Sequence, residues 1–383
     1  MRFLRDLSGG NPLAAVAAVV IGAATLILPE LLNAPDLITY VMIGLSTMVV
    51  AGLSLLVGFA GQVSLGQGAF YGFGAYAAAI LAMHGWPPLL ALVAAVAMTA
   101  AIAAIIGLLL LRLEGHALAF GTLALQLIFL SVLSQTPSFT GGDIGLTNIP
   151  SLTIGPMALT SYRSYAYLVW IVAAAVLVVN RNITKSRPGR GLRAMATSPS
   201  AASAAGVNVV SYKLRDFALS AAYAGLAGAI YAFFLGYISP DAFPVMLSIE
   251  FLIMVVVGGL GTISGAFVGA AVITVISQVL AAVGTSPSLP PQLPNVLSEG
   301  VYAVLLIALL RLMPDGVVGL VSRLSKRLLP SRRRPVPPGE GRDPKTMRPA
   351  PDPAAADTGG EGAGQAGPEQ AEALSSPRTN TEG

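Results

Sequence analysis

Cysteine is absent from this 383-residue chain, and histidine occurs only twice, at His84 and His116. The missing cysteines exclude disulfides and cysteine-ligated zinc or iron–sulfur sites. Neither histidine lies in an HExxH pattern, and the sequence has no GxxxxGK[ST] phosphate-binding loop. We therefore expect no metal site, no cofactor and no ATP hydrolysis by this chain itself.

Charged residues are also scarce. They make up 10% of the chain, and hydrophobic residues make up 55%, whereas a soluble protein carries roughly 25% charged residues. This composition cannot cover a water-facing surface, so lipid must surround most of the molecule. The formal net charge of +4 does not indicate a nucleic-acid partner, because the basic residues lie between apolar runs, as orientation charges do.

Apolar runs that could cross about 30 Å of hydrocarbon as helices recur along the chain. We predict an all-α polytopic membrane protein with about ten transmembrane helices (8–10), some short or broken. The predicted spans are 13–28, 37–59, 67–83, 89–111, 117–135, 165–180, 214–236, 247–258, 264–283 and 298–312. The eighth reaches only about 18 Å as a helix, so we expect a half-span that unwound backbone continues.

The distribution of basic residues fixes the expected topology. If the N-terminus is cytoplasmic, every Lys and Arg before residue 330 except Arg163 falls on the inner side, as the positive-inside rule requires. Residues 1–330 then form the transmembrane domain, with both chain termini cytoplasmic. Residues 331–383 are rich in Pro, Gly and Ala and have too few large apolar residues to offset the entropy of ordering. They predict a disordered cytoplasmic tail.

Three stretches differ from plain lipid-facing helix, and the first is residues 58–72. In the eleven residues 58–68, four glycines alternate with three polar side chains, which are costly in hydrocarbon unless protein or water surrounds them. The spacing of Gly68 and Gly72 also favours close helix contact. Two interpretations stay open, a broken segment lining a translocation path or an ordinary turn before a tightly packed helix.

The second stretch, residues 250–269, combines an acid with regularly spaced glycines. Gly261, Gly265 and Gly269 share one face, which predicts a close helix contact. Glu250 stands inside an apolar run, where an acid costs about 2.5–3.5 kcal/mol at mid-bilayer. It should therefore face a cavity or a partner, or lie near the membrane surface.

The third stretch is the long inner loop 181–213. Ser198 followed by Pro199 is typical of a helix start, and Gly206 is typical of a helix stop. We predict a short helix, Pro199–Ala205, against the cytoplasmic face. It is either a docking element or a plain surface helix.

These stretches resemble the branched-chain amino acid (LIV-type) permease family of binding-protein-dependent ABC importers. The resemblance covers roughly residues 37–320 and is closer to the LivM-like partner than to the LivH-like one. The motifs that carry it, in order, are Gly-Gln-Val-Ser-Leu-Gly-Gln-Gly at 61–68, Thr-Gly-Gly-Asp at 140–143, the loop segments 189–194, 201–209 and 212–214, Gly-Gly-Leu-Gly-Thr at 258–262, and Met-Pro-Asp-Gly at 313–316.

The resemblance implies a prokaryotic inner-membrane importer with several partners. These are a second permease subunit in a heterodimer, two ATP-binding subunits and an extracytoplasmic solute-binding protein. The residues it implies for the substrate path are Gln62, Ser64, Gly66, Gln67, Gly68, Glu250, Gly258, Gly259 and Gly261. Those for the loop facing the binding protein are Thr140, Gly141, Gly142 and Asp143, and those for ATPase coupling are Arg190, Arg193, Ser198, Pro199, Ala201, Ala202 and Gly206.

One departure from the family concerns the coupling loop. Many members carry an acid near the Ala-Ala pair, whereas residues 197–203 contain none. We expect Arg190, Arg193 and shape to serve the docking instead.

Alternative functions remain open. Within the same family, the solute could be urea, a short amide or a simple sugar. A different class, an ion-coupled secondary transporter, usually places several acids or histidines inside the membrane, and Glu250 is a slender basis for it. A membrane enzyme is disfavoured because no cluster of catalytic groups occurs at one depth.

The predicted disorder of the tail has a direct test. Deleting residues 331–383 should leave both protein abundance and solute uptake near the level of the intact chain, because the segment contributes no packed surface. Immunoblotting and radiolabelled uptake in the same cells measure the two quantities. Loss of uptake at normal abundance would contradict a dispensable tail.

Overall fold

The structure is a computed structural model that describes residues 28–113, 115–155 and 157–284. The predicted first and tenth spans, the 313–316 motif and the tail 331–383 lie outside the described residues. The helix and strand bounds therefore concern the central part of the chain.

This central part is almost entirely helical. Its helices are α1 Ala34–Ser54, α2 Gln67–Met83, α3 Pro88–Leu110, α4 His116–Gln135, α5 Pro137–Thr140, α6 Tyr162–Lys185, α7 Arg187–Thr197, α8 Pro199–Ala204, α9 Val209–Leu235, α10 Val245–Gly258 and α11 Ile263–Gly284. A π-helical turn, Leu55–Phe59, extends α1, and two 3-10 turns span Gly142–Ile144 and Pro240–Ala242. Strand β1, Thr153–Ile154, pairs antiparallel with β2, Met157–Ala158.

Six described segments are long and apolar enough to cross a membrane. They are Ala34–Phe59, Pro88–Leu110, His116–Gln135, Tyr162–Lys185, Val209–Leu235 and Pro240–Gly258. Helix α2 has the bounds predicted from sequence, and α10 is short, as expected for the eighth span. Helix α6 is longer than predicted, because hydropathy marks the part of a helix that lies in lipid, whereas caps such as Ser161 mark its ends.

The connections alternate between two ends of the helix bundle. We call one the basic end, which carries the connections 60–66, 111–115, 186–208 and 259–262. The acidic end carries 84–87, 136–161 and 236–244. At the acidic end, Leu146 and Ile238 pair through two backbone hydrogen bonds of 2.8 and 3.0 Å, which joins the two longer connections.

The centre of the bundle is α9, which packs against α1, α2 and α3. Its contact with α2 is unusually close, because a Cβ atom at Gly74 would collide with the backbone of Gly225, and one at Gly228 would collide with the Tyr71 carbonyl. Small residues at such crossings let membrane helices gain van der Waals contact. This crossing was not predicted from sequence. Gly74 and Gly228 each contact a residue of the other helix, and glycine spacing along one helix does not reveal which helix it will contact.

A substitution at this crossing should destabilise the fold. Gly74→Val should lower the free energy of unfolding by about 3 kcal/mol or more, because the branched side chain would push the α2 and α9 backbones apart. Ala101→Val, at an exposed position of α3, adds the same branched bulk without a collision and serves as the control. Thermal unfolding of both variants in detergent measures the difference, and equal melting temperatures would contradict the close crossing.

Candidate functional site

The chain leaves helical geometry between the end of α1 and the start of α2, and we call residues 55–66 the break. In the π-helical turn, the Ala60 N–H donates to the Leu55 carbonyl at 3.0 Å, and the Gln62 N–H donates to Leu56 at 2.9 Å. Gly61 then adopts φ +67°, and the backbone stays unwound until α2 begins at Gln67. The first stretch is therefore unwound between two helices and is followed by a tightly packed helix, while its lining of a translocation path stays a prediction.

A chain of buried hydrogen bonds surrounds the start of α2, and we call it the polar seam. The Gln67 Nε2 donates to Ser220 Oγ at 2.9 Å. The Gly68 N–H donates to Ser248 Oγ at 2.8 Å, and the Ser248 hydroxyl donates to Gln126 Oε1 at 3.2 Å. These four side chains are fully buried and lie on α2, α9, α10 and α4. The seam therefore ties four helices together at the point where α2 begins.

The unwound backbone before the seam has its own anchors. The Leu65 N–H donates to Thr122 Oγ1 on α4 at 2.9 Å. Ser64 is fully buried, and its Oγ accepts from the Gly66 N–H at 3.4 Å. A Cβ atom at Gly66 would lie 2.8 Å from the Thr122 carbonyl oxygen, so glycine is needed for this approach.

Several buried polar atoms of the break, α2 and α9 have no hydrogen-bond partner among the described residues. They include both amide atoms of Gln62, the Oε1 of Gln67, the Oδ2 of Asp216 and the hydroxyl of Tyr223. Asp216 and Tyr223 are four residues before and three after Ser220, so all three share one face of α9. Unpartnered buried groups are costly, about 1–3 kcal/mol each. Each of these atoms can make a further hydrogen bond if a polar partner reaches it.

Four of these polar residues, Asp216, Ser220, Gln126 and Ser248, were not predicted from sequence. The sequence does contain a feature that could have identified them, because each is a polar residue inside or beside an apolar span. Asp216 was obscured by its basic neighbours Lys213 and Arg215, which resemble a loop boundary.

The second stretch packs directly on the break. The backbone of Gly261 lies against Gly58 so closely that a Cβ atom at Gly58 would collide with it. Gly258 and Gly265 make the same kind of contact inside the α10–α11 hairpin. Gly259 and Gly261 have φ values of +109° and +71°, which form the unwound turn that continues α10.

Glu250 has a partner within the chain. Its carboxylate accepts a hydrogen bond from the Ser277 hydroxyl at 2.9 Å. This bond ties α10 to α11. The expectation that Glu250 has a partner is therefore met. Its position on the substrate path stays a prediction.

The third stretch contains two helices rather than one. Helix α8 follows the prediction, with Ser198 Oγ accepting from the Ala201 N–H at 3.3 Å and Gly206 at φ +83°, although it ends at Ala204. Helix α7 was not predicted, because Pro188 and two glycines give it low intrinsic helix propensity. Tertiary contacts of its apolar side chains stabilise it instead.

These contacts join the loop to the break. Leu192, Met195 and Ala202 form one buried cluster with Leu55, Phe59 and Ala60. The Arg193 guanidinium lies 5.2 Å from the centre of the Phe59 ring, a cation–π distance, and both Arg190 and Arg193 are exposed. A cavity of about 460 Å³ lies between the two elements, and its walls include Gln62, His116, Pro199 and Lys213.

At the acidic end, the Thr-Gly-Gly-Asp motif builds a turn. The Thr140 hydroxyl donates to the Leu133 carbonyl at 2.6 Å, and its oxygen accepts from the Gly142 N–H at 3.2 Å. Gly141 and Gly142 have φ values of +74° and +59°. Thr140 and Gly142 are buried, and of the four motif residues Asp143 presents an exposed side chain.

Membrane-length helices around a broken segment, with a basic loop packed on the break, define a multi-pass membrane transport protein. A family model described as "Branched-chain amino acid transport system / permease component" matches residues 36–310. The chain belongs to this family. No solved structure matches it.

Its relatives carry the names LivM and LivH. The high-affinity branched-chain amino acid transport system permease protein LivM of Salmonella typhimurium is 32% identical over 271 residues, which cover 63% of this chain and 61% of that protein. LivM of Escherichia coli is 31% identical over 266 residues, with the same coverage. A probable LivH of Methanocaldococcus jannaschii is 27% identical over 223 residues, 55% of this chain and 67% of its own length. The matches to LivM thus span 61% of those relatives' length.

The polar seam gives a testable stability prediction. Ser248→Ala should lower the free energy of unfolding by about 1–3 kcal/mol, because both the Gly68 N–H and the Gln126 Oε1 lose their partner in a buried site. Ser264→Ala, at an exposed position of α11, should change it by about 0.5 kcal/mol or less. Thermal unfolding of the two variants compares them, and an unchanged melting temperature for Ser248→Ala would contradict the seam.

Proposed function

We propose that this chain is a transmembrane permease subunit of an ABC importer for branched-chain amino acids. A second permease subunit, two ATP-binding subunits and an extracytoplasmic binding protein complete the complex in a prokaryotic inner membrane. The basic end and both chain termini face the cytoplasm. The observation that carries this proposal is the direct packing of the basic loop on the broken segment at α2, in a chain of the branched-chain permease family.

The packing suggests how ATP hydrolysis in a partner moves this subunit. Closure of the ATP-binding subunits pushes on α7 through the exposed Arg190 and Arg193, and on α8 through Pro199 and Ala201. Ala202 transmits the push, since it packs in the cluster that contains Leu55 and Phe59 of the π-helical turn. A π-helical turn is less regular than the α-helix around it and is frequent at functional sites, so it is a suitable hinge.

The second transmission step runs through glycine contacts. Movement of the break at Gly58 displaces Gly261, because the two backbones touch. The α10–α11 hairpin then moves with the break, and the unwound turn at Gly259 and Gly261 connects its two helices. The two glycine-rich stretches reorient together, which is what alternating access requires.

The polar seam supplies the chemistry for a zwitterionic solute. The first N–H groups of α2 carry the positive end of its helix dipole, which stabilises a carboxylate, as broken helices do in other transporters. Acceptors such as the Gln67 Oε1 and the Tyr223 hydroxyl can receive an ammonium group. In the described conformation the polar groups of the seam bond to one another. The Gln67–Ser220 and Gly68–Ser248 hydrogen bonds must therefore break when solute passes.

Transport itself tests the proposal. Vesicles containing the complete reconstituted complex should take up labelled leucine when ATP and the loaded binding protein are present, and should not take up labelled urea or ribose. Uptake of urea or ribose instead would replace the substrate class. Leucine uptake that follows an imposed ion gradient without ATP would identify an ion-coupled transporter and overturn the importer.

The coupling role of α8 depends on how it ends. Gly206→Val should lower leucine uptake about tenfold at unchanged complex abundance, because a β-branched residue is strained at φ +83° and would move the end of α8. Gly206→Asn is the matched control, since asparagine tolerates this conformation and open space surrounds the position. The ratio of uptake to ATP hydrolysis measures coupling. Equal ratios for the two variants would argue against a docking role of α8.

A further inference from the structure

An apolar cavity of about 420 Å³ lies between α2, α3 and α4, and we call it the crevice. Residues of α2 between positions 69 and 81 form its floor. Met98, Ile102 and Ile106, which share one face of α3, form one side, and residues of α4 between positions 125 and 133 form the other. The crevice therefore runs along three membrane helices that follow one another in the chain.

The crevice exists because α3 and α4 diverge. They meet at the basic end, where a Cβ atom at Gly121 would lie 3.0 Å from the side chains of Leu110 and Leu113. Toward the acidic end they no longer fill the space above α2, and the wall of the crevice reaches Thr140 of α5. The crevice is therefore closed at the basic end and extends to the acidic end.

The crevice also opens sideways, onto the surroundings of the chain. Three residues of its wall are exposed, Met98 by 43%, Ile128 by 61% and Val132 by 52%. They lie on α3 and α4, two helices that are long and apolar enough to cross a membrane. The opening is therefore continuous with the apolar surface that these helices present to lipid.

The dimensions of the crevice exclude a further helix as its occupant. Its floor runs from residue 69 to residue 81, which is about 18 Å along α2. Spread over this length, a volume of about 420 Å³ leaves a mean cross-section of about 23 Å². An α-helix with its side chains is about 10–12 Å across, or roughly 80–110 Å² in cross-section. A single extended hydrocarbon chain fits where a helix does not.

Two wall residues carry polar side-chain atoms, Thr140 and Tyr76. The Thr140 hydroxyl donates to the Leu133 carbonyl at 2.6 Å. Tyr76 is buried, and its hydroxyl has no hydrogen-bond partner among the described residues, although a buried tyrosine hydroxyl usually has one. The carbonyl of an ester-linked acyl chain can accept this bond, whereas an apolar side chain of a partner protein cannot.

We propose that the crevice binds one acyl chain of a membrane phospholipid, whose ester carbonyl accepts a hydrogen bond from Tyr76. The headgroup lies toward the acidic end, because the crevice is closed at the basic end. The lipid therefore comes from the outer leaflet. This choice of leaflet rests on the proposed function, which places the basic end in the cytoplasm, while the binding of the chain itself does not.

The bound chain supports α4 behind the polar seam. Leu125 and Phe129 line the crevice and flank Gln126 on α4. The Gln126 Oε1 accepts from Ser248 at 3.2 Å, and its Nε2 donates to the Phe243 carbonyl at 2.9 Å. An empty space behind Leu125 and Phe129 would cost them van der Waals contacts. A filled crevice therefore stabilises the position of Gln126 in the seam.

Photo-crosslinking of the complete complex, purified in detergent, tests the occupant. Phe73→p-benzoylphenylalanine, in the floor of the crevice, should form an adduct with a phospholipid that survives purification. Ile171→p-benzoylphenylalanine, at a 62% exposed position of α6, should form adducts with detergent instead. Mass spectrometry identifies both products.

Several products at position 73 would overturn the site. Adducts with detergent alone would show that no lipid is held there. An adduct with a free fatty acid would replace the phospholipid. An adduct with the second permease, or with residues 1–27 or 285–383 of the same chain, would show that protein fills the crevice.

Filling the crevice tests its capacity. Ala77→Phe places a ring in the floor, so the complex should retain one phospholipid fewer per copy of this chain in native mass spectrometry. Ala101→Phe, at an exposed position of α3 outside the wall, is the control and should retain the same number as the unaltered complex. Equal numbers for the two variants would overturn the site. If Ala77→Phe does not assemble, the product at position 73 decides.

Failure of this site and failure of the proposed function can be told apart, because neither measurement depends on transport. A complex that retains the phospholipid at position 73 but takes up no leucine would overturn the proposed function and support the site. A complex that takes up leucine without a phospholipid adduct at position 73 would overturn the site alone.

Discussion

A backbone that leaves helical geometry inside a membrane must find hydrogen-bond partners within the protein, because hydrocarbon offers none. The break between α1 and α2 imposes this constraint on the whole molecule. The Leu65 N–H donates a hydrogen bond to Thr122 on α4, and the Gly68 N–H donates one to Ser248 on α10. The positions of α4 and α10 relative to α2 follow from these bonds, and α9 joins them through the Gln67–Ser220 bond.

The same constraint explains where the glycines are found. Backbones that supply partners to one another must approach closely, and Gly58 meets Gly261 while Gly74 meets Gly225 without room for a Cβ atom. Such contacts have few alternative arrangements. A movement of the break therefore has to be shared by the α10–α11 hairpin, which is the physical basis of the coupling proposed for this permease family member.

The two ends of the bundle differ in how they use polar residues. At the basic end, the loop helices attach to the break through an apolar cluster, and Arg193 reaches Phe59 through its ring face. At the acidic end, hydrogen bonds of Thr140 and the Leu146–Ile238 bridge make a stiff platform. The basic end is therefore held together by side-chain packing, and the acidic end by directional hydrogen bonds.

The amino-acid sequence by itself determined the class of the protein, the approximate position of each described membrane helix, the unusual glycine-rich stretch after α1 and the cap residues of α8. These are local properties, since apolar length, glycine content and capping side chains act within a few residues. Only the tertiary structure decided that the three unusual stretches meet at one end, that Ser220, Gln126 and Ser248 complete the seam, and that Glu250 bonds to Ser277. Helix α7 belongs to the same group, because its own propensity is low and the contacts that stabilise it come from Phe59 and its neighbours. Partners far apart in the chain are chosen by packing, and a periodic pattern carries no information about which helix faces which.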